Sequence, residues 1–331
     1  MRRFLLLSLA AVSLWLLLSG CFSNNNFSLL PDYEDKLSTR LVAKPISEDT
    51  KDRILILDVE GVIAEWGSTS IFYDHEPTTT VIRRKLEKAA HDERIKAVVL
   101  RVNSPGGTVT GSDIVYRDLR KFKERTKLPV VAAFMGVAAS GGYYVSCTAD
   151  TIVAHPTSIT GSIGVIMHSF GFAGLFQKIG MESRVIKAGK MKDMGNPFDE
   201  MTDEERQILQ RIVDESYERF VTVVDEGRPN LNREQVLALA DGRILSAADA
   251  KRVGLVDQLG DLDDAIEEAK RLAKIRDAGV ILYTTSKKPD QNIYSLSRAE
   301  APRLNLDMNL IDYNQLMEMA QPRILYMWMG M

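Results

Sequence analysis

In Ala97-Val98-Val99-Leu100-Arg101-Val102-Asn103-Ser104-Pro105-Gly106-Gly107 the first six residues, Ala97–Val102, read as a continuous apolar strand, and Asn103–Gly107 reads as the turn directly after it, closing on a pair of glycines. A strand without polar alternation is apolar toward both faces, so it belongs in a sheet covered on both sides. The signature recurs along the chain. Arg53–Val59 is a β-rich run, with Gly61-Val62-Ile63 after a short break, and Pro129–Phe134 and Thr151–Ala154 are further strands. Val81–His91, Ile114–Phe122 and Ser140–Cys147 carry helical spacing between them. This alternation predicts an α/β fold with a mostly parallel sheet. Ligands of such sheets sit beyond the carboxyl ends of the strands, and the glycine motifs fall at those ends.

Two of these ends carry chemistry. Gly106-Gly107 allows a positive φ and a close backbone approach to a ligand, although taken alone it is an ordinary strand-to-helix turn. Ala139-Ser140-Gly141-Gly142 repeats the arrangement after the Val130–Phe134 strand and adds a serine between small neighbours. The amides of Gly107 and Gly141 are then candidate donors to an oxyanion, where charge develops on an attacked carbonyl oxygen. About fifty residues further on, Lys190-Met191-Lys192-Asp193 offers a lysine as base. A serine hydroxyl is a poor nucleophile until its proton is taken, and a lysine takes it only when neutral.

The N-terminus addresses location. Met1-Arg2-Arg3 is basic, Phe4–Leu18 is apolar, and Leu18-Ser19-Gly20-Cys21 follows. The apolar run is shorter than the roughly 20 residues that span a bilayer and ends in small residues, as a cleavable export signal does. The cysteine at that point resembles a bacterial lipobox, in which the thiol of Cys21 carries lipid; a plain signal anchor with an incidental cysteine is the alternative. Residues 1–20 are thus expected to be a lipoprotein signal peptide and 21–51 a lipidated tether, with membrane attachment and no spanning helix. Residues 52–275 form the expected catalytic domain and 276–331 a C-terminal extension. Loss of Arg2 and Arg3 takes the 42 basic residues to 40 against 45 acidic ones, a balance of −5. A mildly acidic surface without a basic tract argues against nucleic acid as partner. Cys147 is then the lone thiol and is expected in the core. Four histidines without paired spacing make a metal site unexpected, and no cofactor is implied.

Taken in order, these stretches resemble signal peptide peptidase A and its relatives, serine proteases of the Clp protease/crotonase fold. The resemblance rests on Arg101–Gly107, Ala138–Tyr144, Thr160-Gly161-Ser162-Ile163-Gly164-Val165 and Lys187–Asp193. Met201–Glu205 and Asp241-Gly242-Arg243 through Gly254-Leu255-Val256-Asp257 complete it. It implies a spiral of strand-helix repeats, Ser140 as nucleophile, Lys192 as general base and Ser162 as a hydroxyl that positions the lysine amine. Gly107 and Gly141 would form the oxyanion hole. Generic burial beside two hydroxyls would keep such a lysine neutral, with Lys187 and Lys190 adding repulsion if near. Asp193 is expected to point away. Implied substrates are signal peptides and other short hydrophobic peptides in the cell envelope, bound by strand addition along Ser162–Ile166. A homo-oligomeric ring or dome is implied as well.

Rival readings remain. His168 lies 28 residues beyond Ser140 and offers a Ser/His alternative. A catalytically inactive lipoprotein scaffold is another, and an acyl-thioester enzyme of the same fold a third. Further on, Met201–Asp225 is a long helical run whose Thr202 and Glu205 predict a capping box. From about Ser286 clear periodicity is lost. The apolar tail Arg323–Met331 is expected to add a strand to a partner, dock in a groove or touch membrane.

Overall fold

A computed structural model describes residues 37–70, 73–285, 292–295 and 323–330. The expected signal peptide, Cys21 and most of the expected tether lie outside the described residues, as does most of the stretch after Ser286.

The chain opens with strands β1 (Ser38–Ala43) and β2 (Arg53–Ile63) and a small hairpin of β3 (Ser68–Ser70) and β4 (Tyr73–His75). Helix α1 (Thr78–Ala90), strand β5 (Ile95–Thr108), helix α2 (Val109–Thr126) and strand β6 (Val130–Ala139) follow. Next come α3 (Gly141–Ser146), β7 (Thr151–Ala154), β8 (Ile159–Gly161), β9 (Ile166–His168) and α4 (Ala173–Ile179). The second half contains α5 (Asp203–Gly227), α6 (Arg233–Leu239), β10 (Ile244–Ser246), α7 (Ala247–Arg252) and β11 (Gln258–Leu259). It closes with α8 (Leu262–Ala273), β12 (Gly279–Thr284) and β13 (Arg323–Met327).

Among the described residues eleven strands share one sheet, whose main path runs β1-β12-β2-β5-β6-β7-β11. All neighbours along that path are parallel except β1 and β12. This is the mixed α/β, mostly parallel architecture that the sequence implies. The alternation of side chains explains why the strands read as unbroken apolar runs. Leu55, Leu57, Val98, Leu100 and Val102 face α1, α2 and α5, where they meet Leu86, Leu119 and Phe220. Their neighbours Ile54, Ile56, Ala97, Val99 and Val131 face α8 and meet Leu262, Ile266 and Ala269. Both faces are dry.

Strand β6 changes partner along its length, pairing with β7 through Val131–Phe134 and with β8 through Val137–Ala139. Strand β5 does the same, leaving β6 and joining β13 at Gly106–Thr108. The two strand ends that carry the glycine motifs are therefore held in a second tier of pairing. Asn103–Gly107, expected as a turn, is strand: Ser104 Oγ donates to the Gly61 carbonyl at 2.6 Å and accepts from the Gly106 amide at 3.1 Å, pinning an irregular ladder.

The folded unit also reaches further toward both ends than composition suggests. Strand β1, inside the stretch read as tether, pairs antiparallel with β12, inside the expected C-terminal extension. The Asp277 carboxylate accepts from the amides of Ile46 and Ser47 at 3.0 and 2.8 Å, fixing the segment after β1. Edge strands need apolar character on one face only, so a sustained apolar period is missing there. Cys147 is buried and unbridged, and burial pushes its thiol up to about 12. No helix among the described residues is long and apolar enough to cross a membrane.

Candidate active site

Ser140 sits between β6 and α3 with φ 51° and ψ −115°. Positive φ is rare for a residue with a Cβ. Among the described residues there are three others, and two of them, Lys127 and Lys274, are plain left-handed caps ending α2 and α8. Ser140 is no cap of that kind. It marks a sharp strand-to-helix turn, which presents a side chain at the end of a sheet. Two bonds hold the turn: the Ser140 amide donates to Gly161 O at 2.8 Å, and the Tyr144 amide donates to Ser140 O at 2.8 Å. The residue is only 1 % exposed, and its hydroxyl has no hydrogen-bond partner among the described residues.

Ser162 shares this geometry. It follows Gly161, which lies opposite Ala139 in the parallel β6–β8 ladder, and it too has φ 51°. Its amide donates to Arg243 O at 2.7 Å, and it is 8 % exposed. The two serines thus end neighbouring paired strands, one ladder spacing (about 4.8 Å) apart at the backbone.

The glycines converge on the same spot. A Cβ on Gly141 would stand 3.1 Å from the Gly107 amide nitrogen and 2.4 Å from Ser112 Oγ. A Cβ on Gly106, whose φ is 108°, would stand 2.7 Å from the Gly141 amide nitrogen. Two backbone N–H donors from different strand ends therefore share one small volume beside Ser140. Two inward donors at such a point are what a tetrahedral oxyanion requires. Sequence reasoning missed Ser112. It is fully buried, its hydroxyl finds no partner among the described residues, and nothing in its local sequence sets it apart.

Lys192 is placed otherwise than expected. It is exposed, its amide donates to Gly189 O at 3.2 Å, and its amine has no partner among the described residues. No hydrogen bond joins it to Ser140 or Ser162 within the chain. The generic burial expected for it is absent because the segment around it lies on the surface. Asp193 does point away: its carboxylate takes Lys187 at 2.6 Å, which holds it below the usual carboxylate range. Lys190 pairs with Glu204. With Lys187 and Lys190 both neutralised, neither supplies the repulsion considered for Lys192. His168 is exposed on β9, and its imidazole touches the Phe170 ring edge-on at 4.8 Å and makes no hydrogen bond among the described residues. The nearby cavity of about 360 Å³, lined by Phe170, Asn196, Met201 and Arg206 among others, includes none of the serines or glycines above.

The sequence profile described as peptidase family S49 matches residues 122–276. A protein named for signal peptide peptidase SppA in Enterococcus faecium is 38 % identical over 74 % of this chain and 71 % of its own length. Protease 4 of Salmonella typhi is 34 % identical over 77 % of this chain but only 39 % of its own length. The chloroplastic serine protease SPPA of Arabidopsis thaliana is 35 % identical over 58 % of this chain and 28 % of its own length.

Proposed function

This chain belongs to peptidase family S49 and is a serine endopeptidase, and from that premise we propose that it cleaves short hydrophobic peptides, signal peptides included, through a Ser140–Lys192 dyad. Ser140 Oγ attacks the peptide carbonyl, and Lys192 takes its proton and passes it to the leaving amine. Ser162 positions the lysine amine, and the Gly107 and Gly141 amides hold the oxyanion. The observation that carries this reading is the strained Ser140 turn with two backbone donors from separate strands meeting beside it. The proposal extends to location: lipid on Cys21 tethers the enzyme to a membrane of the cell envelope, where apolar peptides collect.

The exposure of Lys192 bears on assembly. A lysine works as base when it is neutral, and desolvation favours the neutral form. A single chain supplies none at Lys192, so we assign that role to a neighbouring copy in a homo-oligomeric ring or dome. The apolar side chains exposed just before it, among them Leu175, Ile179 and Ile186, suit such a contact.

The test is hydrolysis of a fluorogenic apolar peptide by the full chain across pH. Ser140→Ala and Lys192→Ala are expected to lose at least about a thousandfold in kcat, while His168→Ala stays within a few-fold of wild type. The acidic limb then reports the base. Loss in His168→Ala with Lys192→Ala active would replace the dyad by a Ser/His arrangement. A folded, assembled wild type without activity would favour the scaffold.

A further inference from the structure

Two glycines in succession let the Gly107 amide come close to a substrate carbonyl, and the same freedom leaves its direction unset. Gly106 stands at φ 108°. An oxyanion donor has to be aimed before the charge forms, so groups outside the pair must hold it. A hydroxyl stands on either side. Upstream, Ser104 Oγ accepts from the Gly106 amide at 3.1 Å and donates to the Gly61 carbonyl at 2.6 Å. Downstream, Thr108 Oγ1 donates to Glu65 Oε2 and accepts from the Gly111 amide at 2.9 Å. Ser104 is fully buried and Thr108 is 5 % exposed.

Both hydroxyls are therefore bonded to one short segment, the end of β2 and the two residues after it. Between those bonds Val62 and Ile63 lie opposite Gly106 and Gly107 in the parallel ladder. The fit is close: a Cβ on Gly107 would stand 1.9 Å from the Ile63 carbonyl oxygen. Gly61–Glu65 thus runs along the glycine pair as a splint fastened at both ends. The upstream fastening uses a backbone carbonyl, which any residue supplies. The downstream one needs a particular side chain, and Glu65 brings it from 43 residues away. Glu65 also lies across the first turn of α2, where a Cβ on Gly111 would stand 2.9 Å from Glu65 Oε2 and 2.8 Å from Thr108 Oγ1. Alanine is the better helix former at such a position. Glycine there makes room for the Glu65–Thr108 pair.

We propose that Glu65 and Thr108 are positioning residues of the reaction: the bond between their side chains holds the Gly106–Gly107 backbone so that the Gly107 amide stays aimed at the oxyanion. They act through Gly107 and not on the substrate. The proposal rests on the Ser140 reading above. Thr108 makes two bonds with different uses. Accepting from the Gly111 amide caps α2, because it satisfies one of the free N–H groups of the first turn. Donating to Glu65 adds nothing to that cap. It ties the residue directly after the donor amide to the chain leaving β2. Losing this tie acts on the step in which charge develops on the carbonyl oxygen, so kcat falls while substrate binding is kept.

The test separates the two bonds of Thr108. Asparagine and aspartate have one shape and both cap a helix, but only asparagine has an N–H to give to Glu65. Thr108→Asn, Thr108→Asp and Glu65→Ala are made in the full chain, and Thr108→Asp is also combined with Glu65→Gln, which returns a donor from the other side. Each is read by peptide hydrolysis, by thermal unfolding and by inhibition with a peptide boronate, whose adduct on Ser140 is tetrahedral. Thr108→Asn is expected to stay within about threefold of wild type in kcat. Thr108→Asp and Glu65→Ala are expected to lose at least about tenfold in kcat and in boronate affinity, with KM within about twofold and the protein folded at the assay temperature. The double variant is expected to recover at least about fivefold over Thr108→Asp. Equal kcat in Thr108→Asn and Thr108→Asp, a rise in KM in place of the fall in kcat, or a loss that follows the folded fraction overturns the proposal and leaves the nucleophile untouched. A Ser140→Ala enzyme that still hydrolyses the peptide removes the nucleophile, and the proposal with it.

Discussion

A backbone at φ 51° and ψ −115° on a residue with a Cβ stores about 1–3 kcal/mol, and Ser140 is kept there by amide bonds on both of its sides. The strain sets the direction of the Gly141 amide, which is why Gly141 tolerates nothing larger. Its added Cβ would meet Ser112 Oγ at 2.4 Å, then Gly106 Cα and the Gly107 nitrogen at 3.1 Å. Gly141→Ala must therefore move the amide it shares with the site. It is expected to lower kcat by about 10²–10³-fold, the effect of losing one oxyanion donor, with KM little changed. Ser112→Ala in the same chain removes the nearest obstacle and is expected to recover at least about tenfold. Steady-state kinetics of the two single variants and the double variant decide it, and no recovery would mean that the obstruction lies elsewhere. Ser140, Gly107 and Gly141 were legible in the sequence because a strand end, a small-residue turn and a helix start are all local. The aromatic cluster that packs behind them was not: the Tyr326 ring meets Tyr144 at 5.0 Å and Phe220 at 4.7 Å only after segments far apart in the chain have packed.

Three helices are tied together by one carboxylate. Asp113 on α2 accepts from the Tyr144 hydroxyl of α3 at 2.7 Å and from Arg219 of α5 at 3.0 Å, with Arg117 beside it. Burial pushes the Asp113 carboxyl up, but the Tyr144 hydroxyl, Arg219 and Arg117 outweigh it and the net position is below the usual range. A carboxyl depressed in the folded state stabilises above its unfolded value, near 4, and that contribution fades as pH falls through the folded value. Asp113→Asn is thus expected to lose about 1–2 kcal/mol at neutral pH, with the gap to wild type narrowing below about pH 4. Urea midpoints at pH 7 and at successively lower pH read this directly. An equal gap at every pH would mean that the charge plays no part. The helices themselves were plain in the sequence, and the capping box that opens α5 at Thr202 and Glu205 is present as expected. Strands at the margins were the harder part. β1 and β13 are edge or inserted strands whose partners lie more than one hundred and fifty residues away, so no local pattern announces their register.

At the scale of the molecule, one stretch of the described chain gathers several of the exposed apolar side chains. The sheet is dry on both faces, yet Leu175, Ile179, Met181 and Val185 are about half exposed and Ile186 is fully exposed. These lie on and after α4, close in sequence to Lys192. A run of exposed apolar side chains of this kind suits the contact with a second copy that is proposed above. A second copy covering it would also desolvate Lys192, and its amine, free of any carboxylate partner among the described residues, is suited to lose its proton there. Assembly and activity should then fail together. Ile186→Asp places a charge where a neighbour would sit, without touching the core, and is expected to shift the protein to smaller species by light scattering. Circular dichroism should stay unchanged while kcat falls at least about tenfold, with active-site labelling by a serine-directed phosphonate slowed in step. A wild type that is monomeric and fully active, or an Ile186→Asp protein that dissociates but keeps its rate, would place the desolvation of the base within the single chain instead.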